Sequence, residues 1–359
     1  MSILPSATNM TDLNVSELTR PASPSPSPAL NQLKVLTYNI AGIPPLINVN
    51  SPLPRVQELC CRLNASEYDV LFFQEAFSGT VQDMLTAALR ANYPYIIAVA
   101  IPATGIKLGS GIFIASRVPL KWCKTIKYSG CGSDKLANKG CVSVGLDLGG
   151  GVIVACFSSH TQSNKLRDPL WWFTSNETAI ACRRKQLKDI GEFVKACNEE
   201  HKPSASLILG DLNYTGEYIE SRVGAGGISD KFSLTPTEEY LEVADVFKNV
   251  GINAIDTFRE KYPLKEGMSY EEAGLTCDSA VNCDNSGESK RLDYCYLINA
   301  SDKEPTLAVE ECGMNLFEFD NEPERDRERR VARGDLRKKY LSDHSALEIT
   351  FSVKAANAI

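Results

Sequence analysis

The chain has no apolar run long enough to cross a bilayer, no cysteines spaced as Cys-x-x-Cys, and only three histidines in 359 residues. Each shortage narrows the reading. A membrane-spanning helix needs roughly 20 consecutive apolar residues, so none is expected. Without Cys-x-x-Cys the twelve cysteines do not suggest a zinc site, and in a chain of this length they are too dilute for a disulfide framework. Cys60, Cys156 and Cys197 fall in apolar periodic patterns and are expected as core thiols. Cys277 and Cys283 share a polar loop and would pair in an oxidising compartment. The amino terminus lacks the charged start and apolar core of a secretory leader. A cytoplasmic or peripheral membrane location is the default expectation, with secretion by a non-standard route left open. Basic charge is also short: 38 Lys and Arg against 45 Asp and Glu give a net charge of -7 and a pI near 5.3. That balance argues against a dedicated nucleic-acid coat. It does not exclude an enzyme that meets a phosphodiester through a metal.

What is present reads as one ordinary globular domain after a tail. Residues 1–31 are rich in Ser, Pro, Thr and Asn, with the run Pro21-Ala-Ser-Pro-Ser-Pro-Ser-Pro28. Such a segment has little to bury, so a disordered tail is expected there. The domain is expected over 32–354, with a short tail over 355–359. Leu33 to Asn39 alternates like a strand and ends on a polar residue. Val56, Leu59, Cys60 and Leu63 recur at helical spacing. Asp69 to Glu75 reads as a buried strand ending in a carboxylate. A second helix carries Val81, Met84, Leu85 and Ala88. Strands are expected over 110–116, 140–148 and 152–160, then a helix over 178–200 with Leu187, Ile190, Phe193, Val194 and Cys197 on one face. Thr235-Pro236-Thr237-Glu238 reads as a helix start, with Thr235 as cap, Pro236 in the first turn and Glu238 reaching back. Strands over 291–298 and 346–353 close the chain. The mixture of strands and helices predicts two sheets packed face to face with helices outside.

One stretch organises the rest. Ser206-Leu-Ile-Leu-Gly-Asp211-Leu-Asn213-Tyr214 begins as a buried strand and ends with a carboxylate and an amide two residues apart. In an extended chain those two positions share a face. A carboxylate beside an amide sets an acceptor next to a donor, which can orient a nucleophile or a phosphoryl oxygen. Gly210 lets backbone or ligand come close. Other apolar runs also stop at polar groups: Asn39, Glu75, His160, and Asp343 with His344. Asp293 lies inside the run Leu292-Asp-Tyr-Cys-Tyr-Leu-Ile298. A charge in a core strand is costly unless paired or metal-bound. Six such places in one chain point to a shared site. His201, at a helix end, is expected on the surface.

These residues, in this order, carry a resemblance. Leu-Thr-Tyr-Asn39, Phe-Gln-Glu75, Ser-Ser-His160, Gly-Asp211-Leu-Asn213, Leu-Asp293-Tyr and Ser342-Asp343-His344 resemble the motifs of the endonuclease/exonuclease/phosphatase superfamily, which shares its fold with deoxyribonuclease I. The resemblance runs from about Leu33 to Val353. It implies an α+β fold: a four-layer α/β/β/α sandwich of two mixed β-sheets with outer helices. Within the superfamily the chain is most similar to neutral, magnesium-dependent sphingomyelinases. Leu136-Ala-Asn-Lys-Gly140, His160-Thr-Gln162, and Arg183 or Arg184 followed by Gln186-Leu187 carry that likeness. The inositol polyphosphate 5-phosphatase branch is disfavoured, because no Pro-x-Trp-x-Asp-Arg motif stands near Asp293. Two stretches depart from the pattern: the insert from Asn164 to Glu177 and the mixed-charge run from Asp320 to Lys339.

The resemblance implies roles. Glu75 is the expected Mg²⁺ ligand, supported by Asn39, with Asp343 on the metal side; Mn²⁺ or Co²⁺ are expected substitutes. His344 is the expected general base, oriented by Asp293. Asp211 and Asn213 would orient the water and the phosphate. His160 would donate to a phosphate oxygen or protonate the leaving group, and Lys139, paired with Asp134, would bear on the substrate. The expected reaction is Mg²⁺-dependent hydrolysis of sphingomyelin to ceramide and phosphocholine, by a monomer acting on phospholipid at a membrane surface. Trp171-Trp172-Phe173 suits a membrane interface or a local apolar plug. Choline would need an aromatic face. A nuclease or another phosphodiesterase or phosphatase of the same superfamily is the alternative. Nucleic acid is disfavoured by the acidic pI. A binding protein on an inactive fold is disfavoured because both site histidines are present.

Overall fold

Strand alternation decides the architecture. The structure, a computed structural model, describes residues 10–12, 29–43, 52–98, 101–102, 108–164, 175–282, 289–300, 306–320, 324–325, 328 and 340–354. In β2 (Gln32–Asn39) Leu33 and Val35 face one core while Leu36 and Tyr38 face another. In β3 (Val70–Gln74) Val70 and Phe72 join the first core and Leu71 and Phe73 the second. A strand with both faces apolar must be covered on both. Here one face meets a second sheet and the other meets helices.

Six strands form one sheet, in the spatial order β16 (Leu307–Asn315), β17 (Ala346–Val353), β2, β3, β5 (Phe113–Ser116) and β4 (Tyr95–Ile97). Seven form the other: β1 (Met10–Asp12), β6 (Leu120–Lys127), β7 (Gly140–Asp147), β8 (Ile153–His160), β9 (Ala205–Asp211), β15 (Asp293–Asn299) and β12 (Ile255–Asp256). Both sheets are mixed: β2–β3 and β8–β9 pair in parallel, the other neighbours antiparallel. The layer between them is built from Val35, Phe72, Ile114, Leu347 and Ile349 on one side and Val142, Val154, Cys156, Leu207, Leu209 and Leu297 on the other. Helices α1 (Leu53–Asn64) and α2 (Gly79–Leu89) cover the first sheet with Val56, Leu59, Cys60, Val81 and Leu85. Helices α3 (Asn176–His201) and α4 (Glu238–Asn249) cover the second with Leu187, Ile190, Val194, Cys197, Val243 and Phe247. Each such side chain, fully buried, is worth about 1.5–3 kcal/mol of transfer free energy. The expected four-layer sandwich is thus the observed one.

Several elements depart from the sequence reading. Met10–Asp12 is not tail but an edge strand, paired to Lys124–Ile126; the expectation for 1–9 and 13–28 lies outside the described residues. Strands β4, β6 and β16, and the hairpin of β10 (Glu217–Val223) and β11 (Lys231–Pro236), have weak or broken alternation and were not anticipated. The cap of α4 is Thr237, whose hydroxyl accepts from Tyr240 N, because Pro236 still belongs to β11. His201 does end a helix, but it is half-buried and stacks on Trp122 at 4.1 Å. Cys60, Cys156 and Cys197 are buried in the core, as expected. The Trp171-Trp172-Phe173 segment, Cys283 and most of the run 320–339 lie outside the described residues.

A buried ion network anchors the entry to β15. The Arg291 guanidinium donates to Glu217 (2.6 and 3.1 Å) and to Asp256 (2.7 Å), and Arg259 adds a 2.8 Å contact to Glu217. Burial pushes the Glu217 carboxyl up, yet the two guanidiniums outweigh it and hold it at about 2. Replacing Arg291 with Met leaves Asp256 without its guanidinium and Glu217 with Arg259 alone. Urea unfolding should show a loss of about 3–5 kcal/mol; a loss below about 1 kcal/mol contradicts the anchoring role.

Candidate active site

The alternation that fills the inter-sheet layer also places the polar residues at its end. In β9, Leu207 and Leu209 face the layer, so Asp211 does too. In β8, Val154 and Cys156 set the same parity for His160; in β15, Cys295 and Leu297 set it for Asp293. The register then aligns them: His160 pairs with Asp211, and Asp211 with Asp293. Three chemically active side chains stand in one row on three neighbouring strands. Facing them from the other sheet, Asn39 pairs with Gln74 at the corresponding ends of β2 and β3. Two carboxylates directly opposite on neighbouring strands repel, so this row is not a choice made for stability.

Glu75 has the wrong parity to join them, since Leu71 and Phe73 face the helices. A left-handed φ of 61° at Glu75 breaks the alternation just after β3. Its Oε1 then accepts from Asn39 Nδ2 at 3.1 Å, and the same amide nitrogen donates to Asp211 Oδ2 at 2.9 Å. The Asn39 oxygen accepts from Ala41 N at 3.1 Å. Asn39 therefore bridges the two carboxylates through its nitrogen and supports Glu75, as the sequence suggested, without offering its oxygen to the centre. Gly210 is required where it stands: φ is 126°, and a Cβ there would lie 2.1 Å from Ser159 O.

Asp211 is the hub. Its Oδ2 is 3.6 Å from His160 Nε2 and 3.9 Å from His344 Nε2. His344 arrives from the loop before β17, and its Nδ1 lies 2.7 Å from Asp293 Oδ2. Two groups of ligand-type atoms result, each gathered within 4.8 Å: Glu75, His160 and Asp211, and Asp211, Asp293 and His344. Burial first, and the Asp293 charge second, push the Asp211 carboxyl up to about 7, although His344, Asn39 and Lys139 pull the other way. Burial works to lower His344, but Asp293, then Asp211 and Asp343, outweigh it and raise its pKa well above the ordinary value. A buried, mutually repelling carboxylate pair beside a reachable third, Glu75, is the donor set a hard divalent cation such as Mg²⁺ fits. Asp293 Oδ1 is buried without a hydrogen-bond partner, a further unmet demand for positive charge.

Other expected residues are placed differently. Asn213 lies beyond the strand, with φ of 52°. It stays at the site because its N–H donates to Asp211 Oδ1 at 2.9 Å and its Nδ2 to Thr161 O at 3.2 Å. Lys139 is buried, and its ammonium donates to Asp134 Oδ2 (2.9 Å), Thr161 O (2.8 Å) and His160 Nε2 (3.0 Å). All three of its protons are thereby placed, one of them on His160 Nε2. Asp343 does not join either ligand group. Its Oδ1 accepts from Ser342 Oγ at 3.3 Å, and its charge bears on Arg55, Tyr38 and His344.

Supporting residues come from helices and loops, and Arg55, on α1, is the one that sequence spacing does not reveal. Arg55 ties Ile40 O, Ala41 O and Leu341 O together, joining the loops that follow β2 and precede β17. Ser342 Oγ donates to Asn39 O at 2.6 Å and accepts from His344 N at 3.2 Å. Of the two candidate arginines, Arg183 is the one that reaches the site segment, donating to Gln162 O at 2.9 Å, while Gln186 accepts from Gln162 N at 2.7 Å. Arg184 pairs with Glu242 on the surface.

The raised values give a pH signature for the metal-free protein. Between about pH 4, where an unfolded aspartate ionises, and about pH 7, the folded chain keeps a proton on Asp211 that the unfolded chain has released. Stability must fall as pH rises through that window, by about 1.4 kcal/mol per pH unit for one full proton. His344 has the same sign: its stabilisation is complete below about pH 6.5 and is lost as pH rises through its higher folded value. The urea midpoint should drop from about pH 5 to about pH 8, less steeply in Asp211→Asn. A midpoint that is level or rising over that range contradicts the reading.

Over 214 residues the chain is 29% identical to "Sphingomyelinase C 2" of Leptospira interrogans, a match that takes in 53% of this chain and 32% of that protein, so the chain spans about a third of its length. The fold is that of beta toxin from Staphylococcus aureus, solved with bound magnesium ions: TM-score 0.59 and 22% identity over 90% of this chain and all of that one. It is also that of TDP2 from C. elegans, at TM-score 0.53 and 16% identity, over 90% of this chain and 75% of the other. Residues 36–344, from the middle of β2 to the histidine paired with Asp293, match the Endonuclease/Exonuclease/phosphatase family, and the chain belongs to that family.

Proposed function

We propose that the chain is a divalent-cation-dependent phosphodiesterase that hydrolyses sphingomyelin to ceramide and phosphocholine. The observation that carries the chemistry is the His344–Asp293 pair aimed at Asp211 across the end of the sheet row. Asp293 Oδ2 accepts a hydrogen bond from His344 Nδ1–H, which leaves Nε2 as the nitrogen facing the centre. A water there loses its proton to Nε2 as its oxygen attacks phosphorus. Asp293 stabilises the imidazolium that forms. The bond from phosphorus to the ceramide oxygen breaks, and that oxygen takes the proton that the Lys139 ammonium passes to His160 Nε2. Asn213 supplies an amide donor that orients water and phosphate, while Asn39 holds Glu75 and Asp211 in place. A divalent cation held by Glu75 and Asp211 would supply positive charge to the phosphate oxygens and would oppose the carboxylates, Asp293 first, that keep His344 protonated.

The substrate class rests on two supports. The Ala137-Asn-Lys-Gly140 and His160-Thr-Gln162 segments converge on one side of the site, through Lys139 and His160. The aligned relative is named a sphingomyelinase C. A net charge of -7 favours neither nucleic acid nor another polyanion. No helix among the described residues is long and apolar enough to cross a membrane. The likeness to TDP2 keeps a nuclease-type phosphodiesterase as the competing reading.

Sphingomyelin in mixed micelles with Mg²⁺ should release phosphocholine, and EDTA should abolish the release. His344→Ala should lower kcat by about 10²- to 10⁴-fold, the range of general acid–base assistance. Glu75→Gln should instead raise the Mg²⁺ concentration needed for half-maximal rate. Mg²⁺-dependent nicking of plasmid DNA without phosphocholine release would move the chain to the competing reading; release indifferent to EDTA would overturn the metal site.

A further inference from the structure

The Asp293–His344 pair is assembled from two segments that no strand pairing joins. Asp293 begins β15, whereas His344 belongs to the loop before β17. A separation of 2.7 Å between their side chains needs something that fixes both backbones at once. One residue touches both. The Thr276 hydroxyl oxygen accepts from Leu292 N at 3.0 Å and from Asp293 N at 3.3 Å. The Thr276 carbonyl oxygen accepts from Ser345 N, the residue after His344, at 2.7 Å. Asn282 closes the clamp from behind, with Nδ2 donating to Thr276 O and to Ser345 Oγ, each at 3.1 Å. The Asn282 oxygen accepts from Asp278 N at 2.8 Å, and the Asp278 carboxylate is itself held by Arg222 and Ser289. Thr276, Asp278, Asn282 and Ser345 are all buried. A fixed position here is therefore a property of the core and not of a surface turn.

We infer that Thr276 is the positioning residue of the acid–base pair, with Asn282 as its support. The inference rests on the assignment of His344 and Asp293 as that pair. A hydroxyl that accepts from two backbone N–H groups is not replaced by a methyl of the same shape. Thr276→Val keeps the volume and loses the acceptor, whereas Thr276→Ser keeps the acceptor and loses only a methyl. Nothing in the clamp reaches the substrate, so binding should be spared while the geometry of proton transfer suffers.

Two readouts test it on the full chain. Turnover of sphingomyelin with Mg²⁺ should show kcat lower by about tenfold to a hundredfold in Thr276→Val with KM unchanged, the scale of a misplacement near 1 Å, and Thr276→Ser should restore it. Proton NMR of the metal-free protein should show a low-field resonance for the His344 Nδ1 proton shared with Asp293, weakened in Thr276→Val and restored in Thr276→Ser. If Thr276→Val does not fold, Asn282→Ala takes its place with the same two readouts and a smaller expected loss. Wild-type kcat and an undisturbed resonance in a folded Thr276→Val overturn the inference, as does a Thr276→Ser that behaves like Thr276→Val. If the wild type hydrolyses no sphingomyelin, the substrate reading fails, and the resonance alone decides the positioning role.

Discussion

The structure depends on one geometric constraint, that alternate residues of a strand face opposite sides. The same parity that sends Val154, Leu207 and Cys295 into the layer between the sheets sends His160, Asp211 and Asp293 to its end. The apolar layer and the polar row are two stretches of one surface. The layer excludes water and lowers the dielectric beneath the row, so charges there interact more strongly than they would in solvent. Asp211 shows the effect, with its carboxyl pushed up to about 7 by burial and by Asp293.

That position has a thermodynamic cost which the surrounding network offsets only in part. Asn39 donates to both Asp211 and Glu75, Asn213 N–H donates to Asp211, and the Lys139 ammonium stands behind His160. Left-handed backbone at Glu75 and Asn213 adds strain at the same place, as sites built for chemistry often do. The row is still short of positive charge, and a divalent cation is the simplest group that supplies it. Metal binding, the pH dependence of stability and the protonation of His344 are then one coupled equilibrium.

What could be read from the sequence follows from the same parity. Asn39, His160, Asp211 and Asp293 are legible because each interrupts or ends an apolar run whose alternation can be counted. Glu75 was found by its place at a strand end, although parity alone would have pointed it at the helices. Asp343 is the least legible, because a loop has no period: neither ligand-type group includes it, and its charge falls on Arg55, Tyr38 and His344. Lys139 was correctly tied to Asp134 and the site, but its three partners are fixed by the Thr161 backbone and the His160 ring, which no spacing reveals. Thr276 and Arg55 carried no signal, since each acts on backbone groups of distant segments; Ser342 stood in the Ser-Asp-His motif, but its tie to Asn39 O did not show. The missed strands β4, β6 and β16 are short or irregular, and Met10–Asp12 is held by its pairing to β6 and not by its own composition.

The central claim is that Asp211 is a buried, proton-holding carboxylate waiting for a cation. Titration calorimetry of the metal-free protein with Mg²⁺ near pH 6, repeated in buffers of different ionisation enthalpy, counts the protons released on binding. The account predicts about one proton released per ion bound by the wild type, as a carboxyl of pKa about 7 is forced to ionise, and a much smaller release in Asp211→Asn. Binding with no proton release, or release unchanged by Asp211→Asn, would contradict it.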